Sequence, residues 1–163
     1  MAETPQKGCY EIALVLLGRR DFSCAELNRK LQDKGFTAQE AAAAIARLLD
    51  LGYLDDARYA QAVVRTRAKL SGWGKVRIRQ DLIKRMLPKP LIEEALADWE
   101  DAGEKGDEPD WATKAAELLE RKFGRWHGRL EEKDYAKRLG FLMRRGFAID
   151  QARRALDLTK DEL

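Results

Sequence analysis

One set of apolar residues occurs three times along this chain, the later copies lying 51 and 111 residues after the first. The three sets are Leu31, Phe36, Ala44 and Ile45; Leu82, Leu87, Ala95 and Leu96; and Leu142, Phe147, Ala155 and Leu156. An aromatic residue in a short turn precedes each set, at Phe22, Trp73 and Trp126. A repeat of this length is typical of chains built from similar supersecondary units that pack on one another. The sequence therefore predicts three tandem units.

Unit one carries the local signals of short helices. Ser23 with Glu26, and Thr37 with Glu40, are capping boxes at helix starts, and Gly35 supplies a left-handed helix stop. The four prolines and the absence of alternating β-branched runs argue against a sheet. We predict an all-α fold of three three-helix repeats, covering residues 9–52, 53–99 and 111–158, with residues 100–110 as an acidic hinge.

The helical period also predicts which side chains of unit two are buried. The expected core residues are Tyr59, Val63, Thr66 and Leu70 in its first helix, and Ile78, Leu82 and Met86 in its middle helix. Arg58, Arg65 and Lys69 then share one outward stripe. Pro90 is placed in the first turn of the third helix, where its missing N–H costs no hydrogen bond.

Positive and negative charges are separated along the chain. Residues 56–90 hold ten lysines and arginines against two acids, whereas residues 91–110 hold nine acids against one lysine. Such a basic segment favours a surface for phosphates or for an acidic protein groove, and the alternative is an ordinary solvated helical face. The candidate partner or nucleic-acid contacts are Arg58, Arg65, Arg67, Lys69, Lys75, Arg77, Arg79, Lys84, Arg85, Arg121, Arg125, Arg144 and Arg145.

The sequence shows no catalytic constellation and no phosphate-binding loop, which favours a non-enzymatic protein without a cofactor. His127 has no Cys or His nearby that could complete a metal site. The pair Asp55 and Asp56 fits helix capping better than it fits a divalent metal. Trp73 and Trp126 could stack on nucleic-acid bases, but their repeated position favours a role in packing.

The compartment is predicted from the cysteines and from targeting signals. Cys9 and Cys24 form neither a disulfide framework nor a metal-ligand spacing, so a reducing, cytoplasmic location is expected. The longest apolar run, Ile12–Leu17, is too short to cross a bilayer, and no membrane partner is expected. Residues 160–163 spell Lys-Asp-Glu-Leu, an endoplasmic-reticulum retention address. Because no entry signal accompanies it, we interpret it as a coincidence at a frayed helix end.

Three segments of the chain resemble the RecX family of bacterial regulatory proteins. They are Gly52-Tyr53-Leu54-Asp55-Asp56 with Tyr59-Ala60; Ser71-Gly72 with Arg77-Ile78-Arg79-Gln80-Asp81-Leu82; and Phe141-Leu142 with Arg144-Arg145-Gly146-Phe147. The Leu54-Asp55-Asp56 start and the Arg145-Gly146-Phe147 ending are specific in combination, and the resemblance extends over residues 9–158. The sequence departs from the family at Arg85-Met86-Leu87-Pro88, where a Lys-Gly-Ile-like turn is usual.

The resemblance implies repeats related to winged-helix or helix-turn-helix cores without wings, in an elongated and curved molecule. It also implies a regulator that binds the filament of the RecA recombinase and modulates, usually inhibiting, strand exchange, ATP hydrolysis and coprotease activity. Such a protein acts in DNA repair, in recombination and in the SOS response. The implied partner is therefore the RecA filament. Weak DNA contact without sequence preference is left open, and a monomer is expected.

Two other functions are weighed against this one. A helix-turn-helix DNA-binding protein acting as a transcription regulator needs a recognition helix rich in Arg, Asn or Gln. The predicted third helices are Ala41–Leu51, Leu91–Trp99 and Gln151–Leu158. Those of the first two units are alanine-rich or acidic, which argues against a DNA-binding function. A helical scaffold with no nucleic-acid-related partner is the remaining alternative.

Overall fold

The computed structural model describes residues 8–106 and 109–161, apart from the side chain of Glu104. Within these residues the chain forms nine helices and no β-strand beyond one isolated bridge, which confirms the all-α prediction. The helices are α1 (Cys9–Leu17), α2 (Cys24–Asp33), α3 (Ala38–Asp50), α4 (Asp56–Lys69), α5 (Lys75–Lys84), α6 (Lys89–Glu104), α7 (Trp111–Phe123), α8 (Glu132–Arg144) and α9 (Ile149–Leu158).

Consecutive helices pack in threes, and we call α1–α3, α4–α6 and α7–α9 units one, two and three. The repeated apolar set marks the interior of each unit: eleven of its twelve members are buried, and Phe36 is half-buried. Burying one large aliphatic side chain contributes about 1.5–3 kcal/mol. The repeated apolar residues therefore form the interior that stabilises each unit.

The repeat also determines how each middle helix ends. The amides of Phe36, Leu87 and Phe147 donate to the carbonyls of Leu31, Leu82 and Leu142, over 3.3, 3.3 and 3.2 Å. This Schellman ending requires a left-handed residue immediately before the donor. Gly35, Met86 and Gly146 occupy that position with φ of 94°, 58° and 88°. Met86 was predicted to be in the core, but this backbone conformation leaves its side chain 36% exposed.

The buried face of α4 also differs from the prediction. Val63 is buried, but Thr66 is exposed and Leu70 is 83% exposed. The buried residues of the helix are Ala60, Val63, Val64 and Ala68. The buried stripe therefore runs through Ala60, Val64 and Ala68, four residues apart, rather than through Thr66 and Leu70.

The third helix of unit two is longer than predicted. The hinge prediction began at residue 100, but α6 continues to Glu104. Pro88 is its N-cap, and Pro90 lies in its first turn, as predicted. Residues 107–108 of the predicted hinge lie outside the described residues.

Units two and three share one hydrophobic core, whereas unit one has its own. Trp99 near the end of α6 and Trp111 at the start of α7 are both buried, and their ring centroids lie 5.7 Å apart. The two units therefore form one packed body rather than separate units joined by a hinge.

Backbone contacts join the same two units. The amide of Gly74 donates to the carbonyl of Arg145 over 2.8 Å, and the amide of Val76 donates to the carbonyl of Gly146 over 3.0 Å. Carbonyls at the C-terminal end of α8 thus satisfy amides at the N-terminal end of α5. The partial charges of these two helix ends are opposite, which favours the contact.

Candidate partner-binding surface

The thirteen candidate residues lie on units two and three, and they differ in what their charged groups contact. Four are exposed, and their side chains form no ion pair or hydrogen bond with any residue that the structure describes: Arg65, Lys84, Arg121 and Arg144. Arg77 is also exposed, and its guanidinium carbon lies 4.2 Å from the ring centroid of Trp73. These five cations can meet a partner without breaking an internal ion pair.

Arg67 and Arg85 bind the same carboxylate within unit two. The Nε atoms of Arg67 and Arg85 lie 3.0 and 3.2 Å from Oδ2 of Asp81. Arg85 also donates from Nη1 to the hydroxyl of Tyr59, over 2.5 Å. Both arginines are half-buried. This network connects α4 to α5, which indicates a structural role for the two candidates.

Two further candidates are paired with acids from the segment that follows the basic one. Nζ of Lys75 lies 2.6 Å from Oε1 of Glu100. Arg79 binds Glu93 through both carboxylate oxygens, over 2.8 and 3.0 Å. This hydrogen bonding raises the pKa of Arg79 and lowers the pKa of Glu93. The charge separation read from the sequence is therefore partly neutralised by contacts between α5 and α6.

Arg58 stabilises a helix end rather than pointing freely outward. Its Nη2 donates to the carbonyl of Gly52, over 3.1 Å, just after α3 ends. Basic side chains near such an end satisfy carbonyls that have no partner inside the helix.

Arg125 holds the C-terminal segment of the chain. Its guanidinium pairs with Glu120 and Asp161. The amide of Asp161 donates to the carbonyl of Trp126 over 2.9 Å, and the indole of Trp126 donates to the carbonyl of Leu156 over 3.1 Å. The predicted frayed end from residue 160 is therefore wrong for two residues. Lys160 forms an isolated β-bridge with Trp126, and Asp161 makes the contacts just described. Residues 162–163 lie outside the described residues.

Trp73 is a packing residue of the turn between α4 and α5, as predicted. It is half-buried and packs against the core shared by units two and three. The guanidinium carbons of Arg67 and Arg77 lie 4.4 and 4.2 Å from its ring centroid. Cations over the ring stabilise this position and compete with any base that would stack there.

The remaining candidates, Lys69 and Arg145, meet Arg121 at a cleft of about 340 Å³ between units two and three. We call it the unit two–three cleft; it is lined by residues 68–72, Lys114, Glu117, Leu118, Arg121, Lys122, Phe141 and Arg145. Lys114 and Lys122 are not among the thirteen candidates. Lys114 shares a helical face with Arg121, which the sequence shows, whereas Lys122 reaches the cleft only because α7 packs on α8.

Three further features of the described residues concern metal binding, membranes and thiol chemistry. They contain no group of three metal-ligating side chains, and none of their helices is long and apolar enough to span a membrane. Burial, and then the charge of Asp56, raises the pKa of Cys24 to about 12, which keeps this thiol protonated. Neutral thiols are poor nucleophiles.

Family models for RecX cover most of the chain. The first three-helix domain of that family matches residues 9–48, the second matches residues 55–96 and the third matches residues 108–156. The chain belongs to the RecX family. Two relatives named regulatory protein RecX are 37% identical over 153 residues in Vibrio vulnificus and 38% identical over 153 residues in Trichlorobacter lovleyi. The matched region covers 93% and 91% of this chain, and 93% and 94% of the relatives.

Solved RecX structures have the same fold. The crystal structure of RecX from Lactobacillus salivarius superposes with a TM-score of 0.71 at 25% identity, covering 92% of this chain and 95% of that one. A second crystal structure of a regulatory protein RecX gives a TM-score of 0.70 at 21% identity, covering 91% of this chain and 71% of that one. The RecX relatives are named as regulators rather than as enzymes.

Proposed function

We propose that this protein is a non-enzymatic regulator that binds the RecA filament on DNA and inhibits its recombinase, ATPase and coprotease activities. Membership of the RecX family supports the choice of partner. The structural observation that carries the proposal is the set of five exposed cations on units two and three that have no internal ion pair: Arg65, Arg77, Lys84, Arg121 and Arg144. The protein acts as a monomer in the cytoplasm and needs no cofactor.

The packing of the units supports a multivalent mode of binding. Units two and three share a core, so their exposed cations are held at fixed spacing. A filament presents the same surface on every protomer, and several linked contacts to such a surface bind far more tightly than one. Attraction between cations and acidic protomer surfaces speeds association and weakens with salt. A molecule bound in this way hinders filament growth and rearrangement.

The DNA-dependent ATPase of RecA tests the proposal. Stoichiometric amounts of the protein should inhibit ATP turnover at low salt. The double variant Lys84→Glu/Arg144→Glu should require about tenfold more protein for the same inhibition, because two contacts become repulsive. The matched control, Arg29→Glu/Lys34→Glu, makes the same charge change on exposed positions of unit one. Unchanged filament assembly and ATP turnover with the unmodified protein would rule the proposal out.

The acidic surface of α6 argues against a function as a DNA-binding transcription regulator. In unit two this third helix uses Glu93 and Glu100 to bind Arg79 and Lys75, and it exposes Glu94. Carboxylates at this position repel DNA phosphates. Discrete footprints on genomic DNA fragments, in the absence of RecA, would favour the transcription regulator instead.

A further inference from the structure

The unit two–three cleft is strongly basic. Five of its lining residues are cations, and Glu117 is the single carboxylate among them. Glu117 lies 2.8 Å from Lys114 and neutralises that lysine. Arg121 has no ion-pair partner among the described residues. A ligand for this cleft must therefore be anionic.

Two more cations of the cleft keep their charge available. Nη1 of Arg145 donates to the carbonyl of Ser71 over 3.1 Å, and a carbonyl carries no net charge. Nζ of Lys122 lies 4.4 Å from the ring centroid of Phe141. A carboxylate brought to either group gains a charge-assisted hydrogen bond, which is stronger than a hydrogen bond between neutral groups.

The cleft also has an apolar side. Leu70 at its edge is 83% exposed, and Leu118 on its wall is half-buried. The shape of this wall depends on Gly72, whose φ is +61°. A Cβ atom at Gly72 would lie 2.8 Å from Cδ2 of Leu118. The leucines give an apolar ligand side chain a surface to cover.

The aromatic ring in the cleft is not available for stacking. Phe141 is 7% exposed, with Lys122 over its ring and Phe123 against it in an edge-on contact at 5.5 Å. Binding of single-stranded nucleic acid depends on aromatic faces that bases can cover. The combination of cations, open leucines and a covered ring favours a peptide over a nucleic acid.

We propose that the unit two–three cleft binds an acidic peptide segment that carries one bulky apolar side chain. The apolar side chain covers Leu70 and Leu118, and the flanking carboxylates bind Arg121, Lys122 and Arg145. This site goes beyond the proposed function, because it recognises a peptide chemistry without DNA and without a filament.

Fluorescence anisotropy tests the site with the full chain and without RecA. The probe is a fluorescein-labelled peptide, Asp-Glu-Asp-Glu-Phe-Asp-Glu-Asp-Glu, together with a version in which Ser replaces Phe. Replacing Phe should weaken binding about tenfold, since burying such a side chain contributes more than 1 kcal/mol. The variant Leu70→Ser should reduce that difference between the two peptides.

Two charge reversals give the matched comparison. Arg121→Glu should weaken binding of the Phe peptide about tenfold, whereas Arg65→Glu, at another exposed arginine that lies outside the cleft, should weaken it by less than about twofold. Circular dichroism checks that each variant keeps its helices. Equal losses in both variants, or equal affinity for both peptides, would show general attraction to polyanions and overturn the proposal.

Labelled oligothymidine is the competing ligand. The cleft is a nucleic-acid site, and the peptide proposal is wrong, if two results are found together. Oligothymidine binds more tightly than the Phe peptide, and Arg121→Glu weakens oligothymidine binding more than peptide binding. RecA ATPase inhibition is measured in separate reactions. If the unmodified protein inhibits RecA but binds neither peptide, only the cleft proposal is contradicted. If it binds the Phe peptide as expected but leaves RecA turnover unchanged, only the RecA proposal is contradicted.

Discussion

The hydroxyl of Ser23 donates a hydrogen bond to the backbone carbonyl of Arg85, which connects the N-cap of α2 in unit one to the C-cap of α5 in unit two. The junction between units two and three repeats this relationship, because the N-cap residue of α5, Gly74, donates its amide to the carbonyl of Arg145 at the C-cap of α8. The N-caps of α2 and α5 therefore each donate to a carbonyl at the C-cap of the next middle helix.

Ser23→Ala should destabilise the protein more than Thr37→Ala does. Both hydroxyls accept from the amide three residues on, so each substitution loses an N-cap worth about 1 kcal/mol. Ser23 is fully buried and also bonds Arg85, which adds about 1 kcal/mol, whereas Thr37 is exposed. Urea unfolding of the two variants measures the difference. Equal losses would show that the contact between units contributes nothing to stability.

Gly74→Ala should disrupt the junction between units two and three. A Cβ atom there would lie 2.4 Å from the backbone of Gly146, which cannot rotate away as a side chain can. Overpacking of this kind costs about 1–3 kcal/mol or more. Gly8→Ala is the matched control, because Gly8 is also an N-cap glycine with negative φ and has no atom within 4 Å of such a Cβ. Thermal unfolding should show a clear loss for Gly74→Ala and little change for Gly8→Ala. The same melting temperature in both variants would contradict the close approach.

The internal repeat allowed the fold to be predicted, and local signals were less reliable. The repeated leucines are buried because a helix-to-helix interface recurs in every unit, and a sequence shows such recurrence directly. The face of α4 is predicted from its bulky residues, and this is wrong at Leu70, which is the exposed C-cap of the helix, whereas Ala60 and Ala68 are buried.

The candidate surface could be predicted only in part. The pairs Lys75–Glu100 and Arg79–Glu93 join residues that are 25 and 14 positions apart, so the pattern of charge along the chain does not show that they neutralise each other. The unit two–three cleft combines segments of α4, α7 and α8. No period within a single helix could have indicated that Lys122 belongs to it.

The thiol of Cys24 should resist alkylation until the solution is strongly alkaline. Its backbone amide donates to Asp56 over 2.8 Å, and burial together with that carboxylate raises the pKa of the thiol to about 12. The raised pKa means that the folded state favours the protonated thiol. Stability is therefore retained below the unfolded pKa of about 8.5 and falls as the pH rises from there towards the folded value.

Single-thiol variants measure this effect. In Cys9→Ser the iodoacetamide reaction of Cys24, followed by mass spectrometry over a pH series, should have a midpoint far above that of a free thiol. In denaturing urea the midpoint should return to about 8.5. A midpoint near the free-thiol value in the folded protein would contradict the described environment of Cys24.

Met86→Gly should stabilise the protein. Met86 has φ of 58° at the position where units one and three have glycine, and a left-handed non-glycine residue costs about 1–2 kcal/mol. Glycine also makes the unfolded chain more flexible, and the Met86 side chain loses some packing, so we expect a net gain of about 0.5–1 kcal/mol. Gly35→Ala is the reciprocal variant, because Gly35 has φ of 94° and open space around a Cβ atom, and it should lose a similar amount. Urea unfolding of both variants tests this, and destabilisation by Met86→Gly would show that its side-chain packing outweighs the backbone strain.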